Sequence, residues 1–289
     1  MNLHFKTSCI CQCLGKSTKK AGKAWWLGFK KRQNLSIRTP EATSLGRATA
    51  FNRHTVGEFF DNLAQVMDVD DFHPEDIYNL DETGCTTVQT PSAKGKKQVG
   101  AATSAERGEL VTVVYTICAS GNVLPPMFIF PRVNFHNHFI IEGPPGCIGQ
   151  ATKSGWINEE LFLVHLEHLV RQTRCTPERK ILLILDNHES HISLRAVEMA
   201  RSNGVVMLTL PPHTSHRLQP LDKTVYGPFK ASYNRAMESW LRSHAGKTVT
   251  IYDVPGIVKE AQMSAMTSRN ILSGFQSTGI YPFNRDIFY

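Results

Sequence analysis

Apolar residues along the chain recur with two different periods. Val56, Phe59, Phe60, Leu63, Val66 and Met67 return every three to four positions, the spacing of one helix face. Thr55 and Glu58 precede them at the interval of a capping box and predict the start of that helix. It runs into the acidic stretch Asp68 to Asp71. Pro74 and Glu75 then lead into Ile77-Tyr78-Asn79-Leu80, a short run of strand composition predicted to stop at Asp81-Glu82-Thr83-Gly84. Leu110 to Cys118 and Val123 to Phe130 are strand-like runs on either side of Gly121-Asn122, which predicts a β-hairpin. Beyond the loop Gly143 to Gly146, the apolar side formed by Leu161, Phe162, Val164, His165, Leu166 and Leu169 predicts a helix over Asn158 to Thr173. Ile181 to Leu185 is apolar without a break, as in a strand buried on both faces. A helix from Ser193 to Ser202, a strand from Val205 to Leu210 and a long helix from about Leu221 to Ser243 complete the pattern. Strands alternating with helices imply an α/β fold, a sheet covered by helices on both faces.

The 289 residues allow one large domain or two small ones, and a 41% hydrophobic content with 20% charge supports a substantial core. The longest apolar stretches, Leu110 to Ala119 among them, fall short of the ~18 residues of a membrane span, so no membrane association is expected. The start of the chain has no apolar run of signal-peptide length, which predicts an intracellular protein. The seven cysteines, at positions 9, 11, 13, 85, 118, 147 and 175, are odd in number and contain no C-x-x-C. Neither a disulfide framework nor a zinc ribbon is indicated.

Charge is arranged in blocks. Residues 1–53 carry eleven Lys and Arg against one acid, and residues 54–82 carry nine acids and no Lys or Arg. In the basic block the charges alternate with aromatics, through Trp25, Trp26, Phe29, Lys30, Lys31 and Arg32. That is the footprint of a polyanion-binding segment, with a solvated Lys-rich arm as the alternative.

Three acids stand at predicted element ends. Asp81 closes the first strand, Asp186 closes the Ile181 to Leu185 strand, and Asp222 opens the long helix. In an open α/β sheet the carboxyl ends of neighbouring strands border one crevice, where distant acids converge. Such hard oxygen donors suit Mg²⁺ or Mn²⁺, and two ions ~4 Å apart serve in-line displacement at phosphorus. The alternative is that the acids are ordinary turn formers or, for Asp222, a charge suited to a helix start.

Tyr78-Asn79-Leu80-Asp81-Glu82-Thr83-Gly84, then Leu183-Ile184-Leu185-Asp186-Asn187-His188-Glu189-Ser190-His191, then Pro211 to Asp222 with the ending Gln219-Pro220-Leu221-Asp222, resemble the signatures of the pogo and Tigger group of DDE superfamily transposases. The resemblance extends over roughly residues 22–285 and implies a ribonuclease H-like fold. It implies metal-dependent cleavage and strand transfer of DNA, with Asp81, Asp186 and Asp222 as catalytic ligands of two Mg²⁺ or Mn²⁺ ions. Glu82, Asn187, His188, His191, His213, His216 and Gln219 become candidates for support of that site. DNA is the implied partner, contacted by Trp25, Lys30, Lys31, Arg32 and Arg38, in the nucleus, with a homodimer as an assembly the family allows. Relatives such as centromere protein B and the jerky-like proteins kept the architecture as DNA-binding proteins, so a binding-only protein is the alternative. Only the last part of the family's helix-turn-helix region, around Trp25 to Asn52, is recognisable, and Glu189 replaces a small polar residue. The resulting division is an unassigned start at 1–21, a helix-turn-helix remnant at 22–53, a connecting helix at 54–74, the endonuclease domain at 75–245 and a helical extension at 246–289.

His188 with His191 and His213 with His216 form two H-x-x-H pairs. They read either as zinc ligands or, in better keeping with the adjacent hard-metal acids, as groups that orient carboxylates or finish turns. Gly15-Lys16-Ser17 lacks the first glycine and the preceding strand of a phosphate-binding loop, so no nucleotide cofactor is expected.

Overall fold

The computed structural model describes residues 23–33, 50–88 and 108–288. The chain divides into two compact units, Met1–Ser44 and Leu45–Tyr289. The described part of the first unit is helix α1, Lys23–Arg32. In α1 the Trp25 ring stacks on Phe29 one turn later, with centroids 5.1 Å apart, while Lys31 and Arg32 are exposed. The side chain of Lys30 and all of Arg38 lie outside the described residues.

In the second unit the strand-like runs assemble into one mixed sheet. Its strands are β1 (Ile77–Thr86), β2 (Leu110–Cys118), β3 (Met127–Pro131), β4 (Ile148–Thr152), β5 (Ile181–Leu185) and β6 (Val205–Thr209), in the order β4-β3-β2-β1-β5-β6. β1, β2 and β3 are antiparallel neighbours, and β5 and β6 continue the sheet parallel to β1. An antiparallel meander extended beyond its first strand by two parallel strands is the ribonuclease H-like arrangement, with β4 added outside β3.

The helices are α2 (Arg53–Asp70), α3 (Glu159–Thr173), α4 (Leu194–Ser202), α5 (Tyr226–Ser243), α6 (Val254–Ala265) and α7 (Ser268–Thr278). β5 shows how they cover both faces. Leu182 and Ile184 point into a core with Phe60 and Leu63 of α2, Phe229 of α5 and Val258 of α6. Leu183 and Leu185 point the other way, onto Phe162 and Leu166 of α3 and Ala196 and Ala200 of α4. Side chains alternate across a strand, so a five-residue apolar run needs a core on each side.

Several element boundaries differ from the sequence expectation: the long helix begins at Tyr226, so that Asp222 lies in the π-helical turn Leu221–Val225 ahead of it and does not open it, and three others have a local cause. α2 is capped by Asn52, whose side chain accepts from the Thr55 amide at 2.9 Å, so the helix starts ahead of the Thr55 capping box. β3 begins at Met127; Pro125 and Pro126 carry no N–H for a ladder, and Val123 makes only an isolated bridge to Ile117. β1 does not stop at Asp81 but runs to Thr86, because β2 pairs with it from Tyr78↔Cys118 to Thr86↔Leu110. Turn-forming residues are thereby held extended by a partner strand. Gly84 belongs to this stretch, and a Cβ there would lie 2.6 Å from Leu110 Cδ1.

β1 also outruns β5, with which it pairs only through Ile77, Tyr78 and Asn79. The carbonyl of Ile77 accepts from the Ala119 amide, on the β2 side, so by alternation the carbonyls of even-numbered residues face the open side. Those of Leu80, Gly84 and Thr86 are satisfied there by side chains, Gln219 Nε2 (3.1 Å), Lys230 Nζ and Tyr233 Oη (3.0 Å) respectively. α5 thus takes the place of a neighbouring strand along part of this edge.

Candidate active site

The register of β1 and β5 brings the first two acids level. Asn79 is paired with Ile184, an offset of 105 residues, and the same offset carries Asp81 to Asp186. Asp81 therefore sits in mid-strand, not at a strand end, yet beyond the last residue of β1 paired to β5. Asp186 is the first residue after β5. Ile77, Asn79 and Asp81 share one face, the side of α5, and Glu82 projects from the opposite face.

Asp222 arrives from a loop with a constrained path. Thr214 Oγ donates to the Pro211 carbonyl at 2.6 Å, and His213 adopts a left-handed φ of 62° between them. One helical turn, Ser215–Leu218, leads through Pro220 into a π-helical turn, Leu221–Val225, that carries Asp222 directly ahead of α5. Single π turns are characteristic of functional positions. α7 supports it: Thr224 Oγ donates to the Asn270 carbonyl at 2.7 Å, and a Cβ on Gly274 would stand 2.9 Å from the Pro220 carbonyl oxygen. Only glycine permits that approach.

The acids form one electrostatic group. Asp81 has its carboxyl raised well above the usual range, first by burial and then by the charges of Asp222, Glu82 and Asp186. Asp186 moves the other way. Burial opposes its ionisation, but the hydrogen bond and charge of His191 outweigh that and hold it below the usual range. His191 Nδ1 lies 2.8 Å from Asp186 Oδ1, and its Nε2 lies 3.2 Å from Glu82 Oε1. Despite burial, these two bonds raise the imidazole to about 9. A protonated imidazole therefore stands between two carboxylates. Tyr226, at the start of α5, donates to the Asp81 carbonyl at 2.7 Å and carries the helix up against the same acids.

Asp186 and Asp222 line an open cleft of about 490 Å³ together with His213, Ser215 and His216. Nδ1 of His216 is buried without a hydrogen-bond partner among the described residues. The remaining candidates are more local. His188 caps the turn that follows it, its Nδ1 accepting from the Ser190 amide at 3.3 Å. Asn187 and Glu189 are exposed, so the extra carboxylate at 189 faces solvent. Gln219 is fully buried and bonded to Asn79 of β1.

Two residues of this region escape sequence reading. Asn79 lies within an apolar strand run and has no exposed surface; a buried amide in such a run signals a hydrogen-bonding role. Tyr226 has a helix-start position like many others, and no local pattern marks it.

A divalent cation suits the donor chemistry, since Asp81, Asp186, Asp222 and Glu82 are all hard oxygen donors and Asp81 is destabilised by the other three. Among the described residues, however, no three His, Cys, Asp or Glu side chains are gathered closely enough to hold an ion as they stand.

The profile of the DDE superfamily endonuclease family matches residues 108–275. That stretch contains Asp186 and Asp222, and Asp81 precedes it. The chain is 32% identical over 221 residues to the MFS-type transporter clz9 of Cochliobolus lunatus, covering 74% of this chain and 24% of that protein. It is 23% identical over 206 residues to the human pogo transposable element with ZNF domain, covering 70% of this chain and 14% of that protein. The chain thus spans about a quarter or less of these relatives. Among the described residues no helix is long and apolar enough to cross a membrane. Among solved structures, a Mos1 transposase paired-end complex with the left transposon end aligns over 94% of this chain and 78% of its own, at 11% identity and a TM-score of 0.48. The Mos1 mariner transposase catalytic domain aligns over 80% and 98% respectively, at 14% identity and a TM-score of 0.41.

Proposed function

The chain belongs to the DDE superfamily endonuclease family, and on that premise we propose that it cleaves the phosphodiester backbone of DNA with Mg²⁺ or Mn²⁺ held by Asp81, Asp186 and Asp222. The observation that carries this reading is the β1–β5 register, which sets Asp81 level with Asp186, together with the cleft that Asp186 and Asp222 line in common. Strand transfer of the freed end is the companion reaction.

Bound there, the ions supply activation of the attacking oxygen and stabilisation of the leaving one. The chain's own residues do the rest. Asp81, half-buried on β1, adds its carboxyl to those of Asp186 and Asp222, and a bound cation would offset the repulsion among them. His191 holds Asp186 ionised and fixes its direction. The cleft beside Asp186 and Asp222 is open to solvent and admits a phosphodiester strand, with His213 and His216 at its wall. Trp25, Lys30, Lys31, Arg32 and Arg38 supply sequence-independent contacts to the backbone, which makes binding fall steeply with salt.

The test is Mn²⁺-dependent nicking of supercoiled plasmid by the purified chain, beside Asp186→Asn. Nicking that needs Mn²⁺ and vanishes in the variant is expected. Salt-sensitive DNA binding without any nicking would overturn the enzymatic reading and leave a binding protein.

A further inference from the structure

We propose that Asn79 and Gln219 form a positioning pair that sets the mutual spacing of Asp81, Asp186 and Asp222; this rests on the acids being the metal-binding group. The two side chains are fully buried and joined to each other, Asn79 Nδ2 donating to Gln219 Oε1. Each further bond ends on backbone within two residues of an acid. Gln219 Nε2 donates to the carbonyl of Leu80, one residue before Asp81, at 3.1 Å. Asn79 Nδ2 donates to the carbonyl of Ile184, two residues before Asp186, at 3.0 Å. Asn79 Oδ1 accepts from the amide of Leu221, one residue before Asp222, at 3.2 Å. One two-residue network therefore touches all three acid-bearing segments.

The chemistry requires amides. Asn79 must donate twice and accept once, and Gln219 must accept from Asn79 while donating to Leu80, which neither a carboxylate nor an apolar side chain can do. Reversing the Asn79 amide would set its NH₂ against the Leu221 N–H, so its orientation is determined. Leu218 and Leu221 already bury this segment in the core, but apolar burial is non-directional and fixes depth rather than position along the strands. Directional bonds supply the missing coordinate. Neither amide reaches the reacting groups; they act through the backbone that carries the acids. In metal sites such supporting residues are typically worth 10–100-fold in affinity or activity.

The experiment measures Mn²⁺ binding to the full chain without DNA, by the electron paramagnetic resonance signal of free Mn²⁺, with plasmid nicking as a second readout. Gln219→Met keeps length and volume and removes both hydrogen bonds. Thr112→Val removes a buried hydrogen bond to the Gly155 carbonyl (2.7 Å) in the same sheet but outside the network. The expected result is a 10–100-fold loss of Mn²⁺ affinity for Gln219→Met at unchanged circular dichroism, with nicking reduced in proportion and Thr112→Val within about twofold of the parent. Equal affinity in Gln219→Met, or an equal loss in Thr112→Val, overturns the proposal. If Gln219→Met does not fold, Gln219→Asn, which keeps the amide but loses its reach, is judged by the same criterion. A parent chain that neither binds Mn²⁺ nor nicks DNA overturns the nuclease reading instead, whereas a parent that does both beside an unaffected Gln219→Met overturns only the positioning pair.

Discussion

The acid end of the sheet and the middle of the α3 layer bury a histidine equally deeply, His191 and His165 each being 1% exposed, yet hold them in opposite charge states. Both nitrogens of His191 face carboxylates, at 2.8 and 3.2 Å, and its pKa is raised to about 9 against the pull of burial. His165 has the Thr116 hydroxyl at 3.0 Å from Nε2 and, among the described residues, no partner for Nδ1. Burial, with smaller effects from His168 and His191, lowers it to about 3. Phe162, on the same helix as His165, packs its ring 4.5 Å from that of His191. Depth of burial does not decide the charge of an imidazole; the groups facing its nitrogens do. Carboxylates can stand where β5 has ended and a cleft opens to solvent, while the described partner of His165 inside the helix–sheet layer is a hydroxyl.

Three measurements would break or sharpen that contrast. The largest effect is acid sensitivity in the α3 layer. The folded His165 value of about 3 lies below an unfolded value of ~6.5, so the unfolded chain binds the extra proton between them. Stability contributed by neutral His165 is complete above ~6.5 and declines as pH falls towards 3, by up to ~1.4 kcal/mol per pH unit. Urea unfolding across that window should show a steeper decline for the parent than for His165→Leu, and parallel curves would refute a neutral His165. Next, His191→Leu leaves Glu82 and Asp186 without their shared cation. Breaking a fully buried pair costs ~3–5 kcal/mol, and because the Asp186 side chain is 35% exposed a loss of about 2 kcal/mol is expected in denaturant titration. An unchanged midpoint would mean that the imidazole does not hold these acids. Smallest is Thr116→Val, expected to cost ~1 kcal/mol alone and almost nothing in a His165→Leu background. A double-mutant cycle with no coupling would remove the hydroxyl as the partner of His165.

Legibility from sequence followed how local each cause was. The run Ile181 to Leu185, the helical period of Leu161 to Leu169 and the helix expected from Ser193 to Ser202 became elements close to where the pattern placed them. β1 was misread at Asp81 because its continuation depends on β2 and on side chains from α5, about 150 residues away. The acids were legible from their motifs, and their 105-residue interval turned out to be the β1–β5 register itself. Asn79 was hidden by its apolar neighbours. The contact of His191 with Glu82, 109 residues apart, has no local trace.

The edge of β1 that overhangs β5 has a further consequence. Unpaired strand edges are templates for the addition of foreign strands and so for aggregation. Here Gln219, Lys230 and Tyr233 engage the carbonyls of Leu80, Gly84 and Thr86, so a foreign strand would first have to displace them. The acids can thus lie beside a sheet margin without making it adhesive, because a second polypeptide is discouraged from zipping on.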